Sequence, residues 1–174
     1  MSLNLQSDDF SLMNLPRRFA LDTAALDAQW KALQAQVHPD RHASEGAAAQ
    51  RQAMQWAVRV NEAYQRLKDP MSRAAYLCEL AGEAIDAERN TAMPPAFLMQ
   101  QMAWREQAEE ADGADALADL HDEVLAERRR LIGQLGALID EKQDCKSAAA
   151  QVRALMFIER FAAELDRRLE ALGQ

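Results

Sequence analysis

Apolar positions in this chain recur at steps of three and four residues. Leu26, Trp30, Leu33 and Val37 form one such stripe, the mark of a single helix face. Asp22 stands ahead of it as an N-cap, and His38-Pro39-Asp40 ends it, because proline cannot continue the backbone ladder. A longer stripe, Ala53, Ala57, Val60, Tyr64 and Leu67, predicts a helix from near Glu45 to Asp69-Pro70. A short helix over 8–15 precedes the pair and stops at Leu15-Pro16, since a residue before proline avoids the helical region. A fourth helix covers about 71–81, with Gly82 as its stop.

Residues 82–95 lose the periodicity and end in a double proline, which places a boundary there. Beyond it three helices are predicted, over about 95–111, 115–141 and 147–172. The second carries Leu117, Leu120, Val124, Leu131, Leu135 and Leu138, interrupted by Arg128, and the third carries Leu155, Ile158, Ala162, Leu165, Leu169 and Leu172. Long helices with short polar connections form bundles. The expected fold is all-α: a helical hairpin within 1–81, a connecting segment 82–95, and a three-helix bundle over 96–174.

Composition supports this. Alanine accounts for 35 and leucine for 21 of the 174 residues, whereas Val, Ile and Thr together number 11. That ratio favours helices over sheet. No apolar run is long enough to span a membrane. The opening residues show no basic flank followed by an apolar stretch, so no secretion signal is expected. Cys78 and Cys145 form no C-x-x-C pair, which fits a reducing, cytoplasmic setting without a zinc site.

The net charge of −8 is uneven: residues 1–83 carry 9 basic and 10 acidic groups, residues 84–174 carry 11 and 18. Nucleic-acid binding rests on Lys and Arg neutralising phosphates, so an acidic chain without a dense basic run argues against it. No phosphate-binding loop, dinucleotide fingerprint, H-E-x-x-H or serine elbow is present. Their absence points to a binding protein rather than an enzyme.

The informative segment is His38-Pro39-Asp40-Arg41-His42, between two amphipathic helices. Loops held by rigid helices often carry function, and this one presents an imidazole, a carboxylate and a guanidinium. A purely structural role is open as well: Asp40 capping the following helix and His38 capping the preceding carbonyls. Pro39 breaks the i, i+4 helical geometry that a metal pair at His38 and His42 would need. No metal or cofactor is expected.

The frame around that tripeptide resembles the J domain. A short helix ending Leu-Pro, an amphipathic helix, His38-Pro39-Asp40 and a long helix are followed by Asn61-Glu62-Ala63-Tyr64, Leu67, Asp69-Pro70, Arg73-Ala74 and Tyr76-Leu77. Farther on, Ala96-Phe97-Leu98-Met99, Gln101-Met102 and Arg105-Glu106 resemble the first bundle helix of the HscB family, bacterial co-chaperones of iron–sulfur cluster assembly. Met156-Phe157-Ile158-Glu159 resembles the family's last helix. The resemblance thus covers nearly the whole chain.

It implies a J domain over 1–81 whose loop docks on a DnaK-class chaperone, HscA, and stimulates its ATPase. Implied chaperone-binding residues are His38, Pro39, Asp40, Arg41 and Lys31. Asp40 would accept a bidentate arginine, Pro39 would fix the turn and His38 would orient it. The chain departs from relatives in having Gln29 and Ala35 where basic residues are common. The resemblance further implies that Leu98, Met99, Met102 and Phe157, rimmed by Glu106, bind an IscU-type iron–sulfur scaffold. Ala103 replaces a commonly acidic rim position. Without the resemblance, a role in the bundle's own core is the favoured reading of these apolar residues. Rival readings are a J protein with another client or a self-associating bundle, a small hydrolase using His38, Asp40 and His42, and a helix-turn-helix DNA reader.

Overall fold

A computed structural model describes residues 4–173. Met1–Leu3 and Gln174, the extreme ends of the two expected domains, lie outside the described residues. Those described form seven α-helices and no strand: α1 (Asp9–Leu12), α2 (Thr23–Val37), α3 (Ala47–Lys68), α4 (Pro70–Leu80), α5 (Pro95–Glu110), α6 (Ala114–Gly136) and α7 (Cys145–Leu172). The all-α expectation holds. The chain divides into two compact units, Met1–Tyr76 and Leu77–Gln174.

In the first unit, Asp22 caps α2 by accepting the Ala25 N–H at 3.2 Å. The α2–α3 pair is tied by the residues of the N-x-A-Y segment. Trp30 stacks on Tyr64 at 4.4 Å between ring centroids, and its indole N–H donates to Asn61 at 2.9 Å. The Tyr64 hydroxyl donates to Asp27 at 2.7 Å. Leu26, Val60, Ala63 and Leu67 are fully buried beneath, each large side chain worth about 1.5–3 kcal/mol of burial. Between α2 and α3 the chain takes one 3-10 segment, Pro39–Glu45, and turns at Gly46 with φ +100°. That left-handed geometry suits glycine, and it delays α3 to Ala47 rather than Glu45. The first helix is also shorter than expected, because Asn14 adopts φ 52° and ends it early.

In the second unit, α5 begins at Pro95 in the first-turn position that proline favours. Leu117, Leu120, Val124, Leu131 and Leu135 of α6 are buried as expected. Leu138 is not the next core residue; Ile139 is. Ile139 continues the step of four from Leu131 and Leu135, and a π-helical turn over Ala137–Glu141, closed by the Lys142 N–H on the Ala137 carbonyl at 2.9 Å, follows α6. On α7, Leu155, Ile158 and Leu165 are fully buried, while Leu172 at its end is exposed. The non-periodic segment after Gly82 is held by Arg153. Its buried guanidinium donates to the carbonyls of Ile85, Ala92 and Ala84 at 2.8, 3.0 and 3.1 Å.

Candidate functional site

The first site is the loop after α2. His38 has extended geometry, φ −62° and ψ 129°, as expected before a proline. Its Nδ1 accepts the Asp40 N–H at 3.2 Å, which requires that nitrogen to be unprotonated. The Arg41 N–H donates to the His38 carbonyl at 3.0 Å. The turn is therefore closed by its own residues, and Pro39 fixes its entry.

Asp40 is left outside this network. Its side chain is 94% exposed, and its carboxylate stands 3.7 Å from His38 Nδ1, beyond hydrogen-bond range. Arg41, implied by the resemblance to bind the chaperone, and His42 act as clamps within the protein. The Arg41 guanidinium donates to the Ala35 carbonyl at 3.3 Å, and His42 Nε2 lies 3.1 Å from the Gln36 carbonyl. Both satisfy carbonyls orphaned at the end of α2. His42 Nδ1 is also 2.7 Å from a Glu45 carboxylate oxygen. The i, i+3 spacing of His42 and Glu45 was the signal available for this contact. Lys31 is exposed on α2, one turn before Ala35.

His42 is shifted toward higher pKa by its hydrogen bond to Glu45 and then by that to the Gln36 carbonyl. The charged ring donates from both nitrogens, so folding tightens its proton. Its stabilising contribution is complete below the ordinary histidine range and is lost as pH rises through the folded value. We expect His42→Gln to abolish one component of the stability loss that accompanies a rise in pH from below the ordinary histidine range to above it. Thermal melts of both proteins across that range, with NMR titration of the His42 ring, check this. Identical pH profiles would refute it.

The second site is on α5. Phe97, Trp104, Phe157 and Phe161 form a buried aromatic cluster joining α5 to α7, with neighbouring centroids 5.6–6.1 Å apart. This anchors one face of α5 and turns another outward. Leu98, Met99 and Met102 are 46%, 70% and 68% exposed, at i, i+3 and i+4 spacings that share a face. Glu106 is exposed one turn beyond Met102. Phe157 differs from its expected companions. It is only 6% exposed, stacked on Phe161 and covered by the Arg105 guanidinium at 5.4 Å. It supports the patch from below, so alanine at Phe157 would probe the core as much as the surface.

Among the described residues, no group of three or more His, Cys, Asp or Glu is placed to hold a metal. Both cysteines are free, and burial pushes the Cys78 thiol up to about 12, which makes it a poor nucleophile. No helix among the described residues is long and apolar enough to cross a membrane.

A helical hairpin with an exposed acidic tip, followed by a helical bundle with an outward methionine face, is the organisation of a J-type co-chaperone. The comparisons give the family. Residues 93–166 match the HSCB C-terminal oligomerisation domain. A co-chaperone protein HscB homolog of Burkholderia mallei is 54% identical over 173 residues, covering 98% of each chain. The solved chaperone HscB from Vibrio cholerae has TM-score 0.77 and 36% identity, covering 95% of this chain and 99% of that one. Human co-chaperone protein HscB has TM-score 0.84 and 26% identity, covering 97% and 85%. The chain belongs to the HscB co-chaperone family.

Proposed function

We propose that this protein delivers an IscU-type iron–sulfur scaffold to the DnaK-class chaperone HscA and stimulates that chaperone's ATPase, promoting cluster transfer. The J domain, within residues 1–81, recruits the chaperone, and the bundle, within 96–174, holds the scaffold. The setting is the cytoplasm, and the protein acts on its partner's hydrolysis rather than as an enzyme. Membership of a co-chaperone family supports this reading. The observation that carries it is Asp40, whose carboxylate accepts no hydrogen bond among the described residues, on a turn that His38, Arg41 and His42 hold in shape. Such an acceptor is ready for a partner's guanidinium. Lys31 adds one exposed cation on α2, the helix that leads into the turn.

On the bundle, Leu98, Met99 and Met102 provide exposed, adaptable apolar surface, with Glu106 on the rim and Phe157 beneath. Linking the two binding functions in one chain raises the effective concentration of scaffold at the chaperone. The double variant Leu98→Ser/Met102→Ser should weaken scaffold binding by about 30-fold or more, the loss of a central contact pair. Its thermal melt should stay unchanged, because both side chains face outward. Calorimetric titration with purified IscU-type scaffold checks this; undiminished affinity would remove the scaffold assignment and leave the chaperone assignment standing. The description of the matched family as an oligomerisation domain favours one alternative use of the patch, self-association. Sedimentation of the same variant against wild type distinguishes it.

A further inference from the structure

Beside the apolar face of α5 runs a groove of 620 Å³ between α5 and α7. It is lined by Arg105, Arg160, Arg167 and Arg168 against two carboxylates, Glu109 and Glu164. This half of the chain is strongly acidic, with 18 acidic and 11 basic side chains over 84–174. Four of those eleven cations gather in this one groove. Two bundle arginines outside the groove are paired with carboxylates: Arg128 with Glu159 at 2.6 Å, and Arg130 with Glu127. In the groove, Arg105, Arg160 and Arg167 are exposed and, among the described residues, none has a carboxylate within 4.0 Å. Arg168 donates to the Ala108 carbonyl at 3.0 Å and closes the end of α5.

The groove is continuous with the apolar face. Arg105 lies one turn beyond Met102 and covers Phe157, and Phe157 and Phe161 line the groove floor. We propose that it receives a carboxylate-bearing segment of the scaffold, next to the part that seats on Leu98, Met99 and Met102. Unpaired guanidiniums select carboxylates geometrically, and charges at an interface rim govern encounter rate and salt dependence. This inference rests on scaffold binding as proposed above and assigns a second, electrostatic half to the same interface.

The test uses the full chain and a purified IscU-type scaffold at low and high salt. Arg160→Glu/Arg167→Glu should weaken binding about tenfold at low salt and flatten its salt dependence, with most of the loss in the association rate. Arg160→Lys/Arg167→Lys should retain most of the affinity. Leu98→Ser/Met102→Ser should weaken binding at every salt concentration and keep the wild-type slope. If the glutamate variant binds as wild type does, with the same slope, the groove assignment is overturned while the scaffold assignment stands. If wild type binds no scaffold, both are overturned. If the glutamate substitutions abolish self-association instead and leave scaffold binding intact, the occupant is a second copy and the inference is wrong.

Discussion

Asp9→Ala should destabilise the N-terminal unit by about 3–5 kcal/mol, the range for removing one member of a buried ion pair. The Asp9 carboxylate is 0% exposed and lies 2.8 Å from Arg59 Nη2 and 2.7 Å from Arg66 Nε. Its backbone N–H donates to the Tyr76 hydroxyl at 3.0 Å. Arg59 further donates to the carbonyls of Leu5 and Ser7 at 3.0 and 2.7 Å, and Arg66 covers the Tyr76 ring at 4.5 Å. One carboxylate thus joins α1 to two arginines of α3. Truncating it leaves Arg59, largely buried, without its counter-charge. Asp9→Asn should cost less, because the amide keeps the shape and one acceptor. Urea unfolding followed by the separate NMR indole N–H signals of Trp30 and Trp56, apart from that of Trp104 in the second unit, reports on this unit and avoids treating both units as one transition. A loss below about 1 kcal/mol, the scale of an exposed pair, would contradict a buried structural role.

Asp40→Asn should act in the opposite manner, with no effect on stability and a large effect on chaperone docking. The side chain is 94% exposed, and its carboxylate stands 3.7 Å from His38 Nδ1, itself occupied by the Asp40 N–H. Nothing in the fold depends on the carboxylate charge. A partner arginine would depend on it, because the amide offers one acceptor oxygen and no charge. Leaving that cation unpaired at the interface should cost about 2–5 kcal/mol. This corresponds to roughly 30-fold or greater loss of affinity for ATP-bound HscA. His42→Gln should have a smaller effect on docking, since His42 braces α2 from behind the turn.

Much of this architecture is legible from residue spacing. The stripes of α2, α3, α6 and α7 identify the helices, and Pro39, Pro70 and Pro95 mark where the backbone must break or restart. The π-helical turn is not legible, because Leu138 and Ile139 are both apolar and either fits a step of three or four. Long-range polar contacts are also hidden. Arg153 reads as a solvated helix charge, yet it gathers three carbonyls more than sixty residues distant in the chain. Asp9, Arg59 and Arg66 are equally silent until α1 and α3 come together. At the candidate sites, the tripeptide locates the loop, but the division of labour within it needs coordinates: Asp40 free, Arg41 and His42 engaged. The apolar residues of α5 separate the same way. Phe97 and Trp104 turn to the core while Leu98, Met99 and Met102 turn out. Phe157, grouped with the exposed set by resemblance, is buried by its stacking on Phe161.

The most direct measurement is the steady-state ATPase rate of HscA with wild type and with Asp40→Asn, each in the presence and absence of the IscU-type scaffold. Wild type should accelerate hydrolysis, and the scaffold should increase that acceleration further. The variant, with an unchanged melting temperature, should lose about tenfold or more of the stimulation at equal concentration in both arms. Full stimulation by a correctly folded Asp40→Asn protein would show that the exposed carboxylate of the loop is not what engages the chaperone.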